Sequence, residues 1–276
     1  MSAVTSLDTP VPRKKTVSER KRRARQVLLQ DNLARALIVF LGFVLWQVGV
    51  NQKFIDPFLM GEPRGIALEA WRMIETGQLL TDVVATVQAT ITGFLGGSIL
   101  GSLCGLALWY ARRLARILDP FFIALNSLPK IALAPMIIIW FGSGIFSKIA
   151  LAFIATFVVS LLTAYQGSHQ IDANLVNMMR SLGATKRQIF AKLVIPATMP
   201  WIISAFRLNI GFALIAEVGG EFIASEVGLG HLIFVNGNLF NLNAVWVGVL
   251  ALMIVAACLY FLVTRIEKRL FAWAKH

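Results

Sequence analysis

Long apolar runs alternate with short, basic connections along this chain. No Asp, Glu, Lys or Arg interrupts Val83 to Ala111, and runs with few charges recur at 33–51, 120–141, 148–167, 197–221 and 244–264. A helix that crosses the hydrocarbon core needs about 20 predominantly apolar residues. Each run, with the second over 83–110, therefore predicts a transmembrane helix, giving an all-α polytopic membrane protein with six spans. Composition removes the main alternative. The chain is 57% hydrophobic and 14% charged, against about 45–50% and about 25% in soluble domains. A soluble enzyme built from it could not cover its own surface. Cys104 and Cys258 are the only cysteines and sit inside apolar runs, where they read as small packing residues rather than a disulfide framework.

The positions of the charges set the orientation. Of the 26 lysines and arginines, all but Lys53, Arg64, Arg72, Lys130, Lys148 and Arg207 fall in one of four places. These are the N-terminal arm, the connection at Arg112–Arg116, the connection from Arg180 to Lys192, and the C-terminus. Short cytoplasmic segments collect Lys and Arg, so both termini are expected in the cytoplasm. The expected organisation is a flexible basic arm over 1–32, a transmembrane domain over 33–270 and a cytoplasmic tail over 271–276. The arm is long for a signal peptide and its apolar segment is as long as a span, so an uncleaved first helix is expected. Its charge suits anionic membrane lipid, and without aromatic residues it does not suit nucleic acid.

Within the spans, Gly93, Gly97, Gly101 and Gly105 recur every four residues and form a ridge that lets a second helix approach closely, within the chain or in another subunit. No strand precedes this ridge and no G-x-x-x-x-G-K-[ST] occurs, which excludes a phosphate-binding loop. The stretch from Gln52 to Asp82 mixes apolar and acidic positions at helical spacing, predicting an amphipathic helix on the outer surface. The third span is punctuated by Pro120, Pro129 and Pro135, with Lys130 beside one of them. Broken backbone at membrane depth persists only where protein or a polar path surrounds it. The fifth carries Arg207, Glu217 and Glu221, with the two acids four residues apart on one face and Arg207 within roughly 40° of Glu221 at about 100° per residue. Buried charges of this kind face a protein interface, a polar pathway or external water.

The cytoplasmic connection over 172–196 is the most distinctive. Leu175, Met178, Met179 and Leu182 keep helical spacing, Gly183 stops that helix, and Thr185 can cap another. The second helix places Ile189, Phe190, Leu193 and Val194 on one side, and a helix–Gly–helix of this kind predicts a docking surface for a soluble partner.

At this point the chain resembles a known family. Leu182-Gly183-Ala184-Thr185, followed by Ile189, Phe190 and Leu193-Val194-Ile195-Pro196, is similar to the EAA loop of ATP-binding-cassette importer permeases. The Glu-Ala-Ala positions fall on Asn177, Met178 and Met179, so the acid is absent here. Leu128-Pro129-Lys130-Ile131-Ala132-Leu133-Ala134-Pro135 leading to Trp140-Phe141-Gly142, and Glu221-Phe222-Ile223-Ala224 leading to Gly228-Leu229-Gly230, resemble two further signatures of the nitrate/sulfonate/taurine branch. The resemblance covers about residues 54–270. It implies a type I importer permease fold, a second permease copy or homologue, two cytoplasmic ATPase subunits that carry ATP and Mg, and an external solute-binding protein. It implies ATPase coupling through Asn177, Met178, Met179, Leu182, Gly183, Ala184, Thr185 and Phe190. The broken third span and the intramembrane charges separately make Pro129, Lys130, Arg207, Glu217 and Glu221 candidates for a substrate pathway. Pro196 and Pro200 would act as rigid elbows. No cofactor is expected in this chain, and ATP hydrolysis belongs to the partner.

His169, His231 and His276 have no ligating neighbours at metal spacing, and no Ser/His/Asp grouping is recognisable. A multi-pass enzyme would need polar residues clustered at one membrane depth. An ion-driven secondary transporter would show an inverted repeat; neither feature is evident. Small organic or inorganic anions are the expected solutes.

Overall fold

A computed structural model describes residues 17–270, so the first sixteen residues of the basic arm and the tail over 271–276 lie outside the described residues. Residues up to Pro57 form one unit and residues from Phe58 onward another. The first unit is dominated by α1 (Val17–Asn51), which carries the candidate span Leu29–Asn51. The arm was expected to be flexible, yet its residues from Val17 to Asn32 are helical. The stretch contains no Gly or Pro and is rich in Arg, Lys, Leu and Gln, all strong helix formers.

The second unit runs α2 (Pro57–Met60), α3 (Pro63–Glu75), α4 (Gln78–Ala107), α5 (Arg112–Ser127), α6 (Ala134–Phe141), α7 (Ile145–His169), α8 (Ala173–Ser181), α9 (Lys186–Ile189), α10 (Ile195–Ile223), α11 (Leu229–Asn238) and α12 (Leu242–Leu270). Among the described residues, five helical stretches are long and apolar enough to cross a membrane. They become six if the bent pair Arg113–Ser127 and Lys130–Phe141 counts as one span.

That pair meets at 89°. Pro129 disfavours helical backbone at the residue before it, and Leu128 is extended at φ −67°, ψ 128°. Lys130–Leu133 then form one 3-10 turn, and Pro135 sits in the first turn of α6, where its missing N–H leaves no bond unmade.

The glycine ridge is used inside the chain. Gly93, Gly97, Gly101 and Gly105 of α4 lie against Ala152, Thr156, Ser160 and Ala164 of α7, all four of them fully buried. A Cβ on Gly93 would stand 2.5 Å from the Ala152 Cβ and 2.7 Å from the Ile149 carbonyl. At the other three positions it would collide with the carbonyls of Phe153, Phe157 and Leu161. This seam leaves α10 as the third member of the core, and Asn209 ties the three together. Its fully buried amide nitrogen donates to Ser98 Oγ at 2.9 Å, Ser160 Oγ at 2.6 Å and the Thr156 carbonyl at 3.3 Å. In a medium without water, such interhelical bonds replace partners that are otherwise missing.

The amphipathic helix expected between the first two spans is α3. Ile66 and Met73 are buried, while Leu68, Trp71 and Ile74 face outward. Its entry is pinned to α12, where Asn243 Oδ1 accepts the Glu62 N–H at 2.9 Å and Trp246 Nε1 donates to the Met60 carbonyl at 2.8 Å.

Candidate functional site

Two regions at opposite ends of the helical core concentrate polar function. At the cytoplasmic end, Asp172 caps α8 by accepting the Asn174 N–H at 2.8 Å. Gly183 ends that helix in left-handed backbone at φ +78°. The Ala184 N–H returns to the Met179 carbonyl at 3.0 Å and the Gly183 N–H to Arg180 at 2.9 Å, a Schellman closure. Thr185 and Gln188 then form a capping box. The Thr185 N–H donates to Gln188 Oε1 at 2.8 Å, and the Gln188 N–H to Thr185 Oγ1 at 3.3 Å.

The sequence suggested that the apolar side of the second helix faces a partner. The structure corrects this: Ile189 and Val194 are buried with Val176 and Trp109, and Phe190 is half-buried against them. Phe190 packs at a tilt against Tyr110 and Trp109, with ring centroids 4.6 Å and 5.6 Å apart. Lys186 Nζ lies 5.1 Å from the Tyr110 ring centre and donates to the Tyr110 carbonyl at 3.1 Å. Phe190 therefore anchors the loop to the end of α4, because the aromatic pair there offers it a dry surface. What points away is the other helix face, with Leu175 at 47%, Met178 at 59% and Leu182 at 75% exposure. Met179 and Ala184 are half-buried, Thr185 is committed to its cap, and Asn177 lines a cavity behind α8.

Pro196 and Pro200 do not form elbows between loop and span. The chain from Lys186 to Ile223 is one helical stretch, with Phe190–Val194 wound as a π-turn. Pro196 has no N–H for an α-type bond and its ring would crowd the carbonyl four residues back, so the turn widens.

At the outer end, the turn Gly228-Leu229-Gly230 is held by three acceptors. Asp82 Oδ1 accepts the Gly228 N–H at 2.8 Å, Thr86 Oγ1 the Leu229 N–H at 2.9 Å, and Glu221 Oε2 the Gly230 N–H at 2.6 Å. Thr86 also donates to Glu221 Oε1 at 2.8 Å. Two carboxylates thus meet the N-terminus of α11, where the helix dipole favours negative charge. Gly228 sits at φ +120°, and a Cβ there would overlap the Glu221 carboxylate. Glu217, one turn back, is fully buried, and no donor among the described residues reaches either of its oxygens. It lines a cavity of about 260 Å³ with Glu221, Lys148 and Glu226. Lys148 turns its amine into the preceding turn, donating to the carbonyls of Ser143 and Gly144.

Arg207 stands apart from this cluster. It makes a two-pronged pair with Glu267 of α12, at 2.5 and 3.2 Å, and ten residues of helix, roughly 15 Å, separate it from Glu217. Lys130 Nζ donates to the Asn126 carbonyl at 2.6 Å, closing the end of α5 beside Pro129. Sequence reasoning missed Asp82, Thr86, Lys148, Asn209, Trp109 and Tyr110. Asp82 and Thr86 share one α4 face at four-residue spacing, a signal that was present but unpartnered. Among the described residues no three His, Cys, Asp or Glu side chains gather to hold a metal ion.

The described residues thus form a helical membrane bundle that carries a helix–turn–helix at one end. The profile of the "Binding-protein-dependent transport system inner membrane component" family matches residues 97–272, and the chain belongs to that family. It is 30% identical over 241 residues to the riboflavin transport system permease protein RibX of Chloroflexus aurantiacus, covering 87% of this chain and 90% of the relative. It is 26% identical over 273 residues to the aliphatic sulfonates transport permease protein SsuC of Bacillus subtilis, described as putative, covering 99% and 98%. Its fold is similar to that of an inward-facing structure of the MetNI methionine ABC transporter, with a TM-score of 0.61 at 17% identity over 73% of this chain and 98% of that one. The protein is therefore a multi-pass inner-membrane ABC importer permease. Its family implies ATPase and binding-protein partners and a dimeric arrangement.

Proposed function

We propose that this chain forms the translocation path for a small solute in an ATP-driven importer, with organic or inorganic anions such as sulfonates, taurine, nitrate or aromatic acids as the solute class. Two permease copies, or one copy and a homologue, enclose the path. Two ATPase subunits bind ATP and Mg, and an external binding protein delivers the solute. The observation that carries this reading is the α8 knob. Leu175, Met178 and Leu182 are exposed, while Val176 on the other face of α8 is buried with Trp109. An exposed apolar patch backed by a rigid core suits force transmission to a soluble partner. Relatives named for riboflavin, formylaminopyrimidine and aliphatic sulfonates support a small polar solute.

Mass measurement of the detergent-solubilised complex tests the assembly and should show two permease and two ATPase subunits. Ligand-induced stabilisation of the partner binding protein identifies the solute. A lone permease that drives uptake from an ion gradient overturns the reading.

A further inference from the structure

A second cavity, about 470 Å³, opens at the cytoplasmic side between α5, the end of α7 and α8. Its floor is Trp109 and Val176, and its polar wall includes Arg116, Asp119, Tyr165, His169 and Arg180. Arg116 and Arg180 have no carboxylate within 4.0 Å among the described residues, since the ion pairs there are Arg72–Glu69 and Arg207–Glu267. Two arginines against one aspartate leave the cavity positive, and a guanidinium binds phosphate oxygens in a two-pronged fashion.

Apolar surface flanks the cavity. Leu114, Ile117 and Phe121 of α5 are exposed apolar side chains, and Arg116 lies among them in sequence. A helix with one apolar side and arginines at the cytoplasmic boundary lies at the level of lipid headgroups.

We infer that this cavity holds the phosphate headgroup of an anionic phospholipid from the cytoplasmic leaflet, with its acyl chains over Ile117 and Phe121. Basic pockets between helices on this side suit such headgroups. Arg116 belongs to α5 and Arg180 to α8, so one headgroup bridges the membrane helices and the knob. The site is distinct from the solute path, and its lipid readout does not depend on which solute is carried.

The test is native mass spectrometry of the purified complex in vesicles of phosphatidylglycerol and phosphatidylcholine, followed by mild extraction. The wild type retains phosphatidylglycerol selectively. Arg116→Ala with Arg180→Ala weakens retention by about fivefold for each arginine lost. Arg116→Lys with Arg180→Lys keeps the charge but loses the two-pronged fork, so it retains more lipid than the alanine variant and less than the wild type, which separates binding from misfolding. Equal retention by the alanine variant overturns the inference. So does a thermal shift in detergent from inorganic phosphate that matches the one from phosphatidylglycerol, because the site then takes a free anion.

Discussion

Glu221 Oε2 accepts the backbone N–H of Gly230 at 2.6 Å, nine residues further along the chain. That bond folds the segment after α10 back onto α10 itself, while Asp82 and Thr86 hold the same turn from α4. The outer end of the bundle is closed by a side chain that, in sequence, reads as a charge placed for transport.

Glu221→Gln is expected to loosen this closure. The amide keeps one acceptor oxygen but turns an N–H₂ toward a site built of donors, which costs about 1–3 kcal/mol. Thermal unfolding of the purified complex should show a lower midpoint than wild type. An unchanged midpoint would mean that the turn is held by Asp82 and Thr86 alone.

Glu217→Gln should behave differently. No donor among the described residues reaches the carboxyl oxygens, so the amide, nearly the same size, deprives no protein donor of its acceptor. The unfolding midpoint is expected to stay level or rise, while uptake into vesicles slows if the adjoining cavity meets the solute. Reduced stability with full uptake would assign Glu217 a packing role.

Gly101→Ala should disrupt the seam between α4 and α7, because the new methyl meets the Phe157 carbonyl. Backbone cannot give way as a side chain can, and overpacking of this kind costs about 1–3 kcal/mol. Gly211→Ala is the matched control, since nothing lies within 4 Å of its Cβ position. Yield and monodispersity after extraction separate the two: loss for Gly101→Ala, none for Gly211→Ala.

For coupling, Leu182→Asp and Phe190→Ala probe two faces of one loop. Leu182 is 75% exposed, so its change leaves the fold intact and lowers substrate-stimulated ATP hydrolysis in reconstituted membranes. Phe190→Ala strips the contact with Trp109 and Tyr110 and costs about 3–5 kcal/mol at full burial, less at this half-buried site. Equal ATPase loss without any stability loss for Phe190→Ala would return that residue to the docking surface.

The spans and the turn chemistry of the cytoplasmic loop were legible because they rest on local rules. A run of apolar residues reports a membrane helix, and Gly183 followed by Thr185 reports a stop and a start. Partners across the bundle were not legible. The four-residue stripe Ala152, Thr156, Ser160 and Ala164 was present and would have matched the glycine ridge, but small residues in a span carry little signal alone. Arg207 shares a helical direction with Glu221, yet its partner is Glu267, because an arginine pairs with the carboxylate at its own depth. Phe190 sits in an amphipathic pattern that states which residues share a face and not which way that face looks.

The π-turn at Phe190–Val194 sets the azimuth of everything beyond it. An α-helix advances about 100° per residue, and the extra residue accommodated by the wide turn fixes where Asn209, Glu217 and Glu221 point relative to the loop. Lys186 to Ile223 is a single stretch of 38 residues, roughly 55 Å at 1.5 Å per residue. A tilt or twist imposed on the knob has no intervening hinge in which to dissipate. In the proposed importer, it would reach the outer turn as rotation of one shaft.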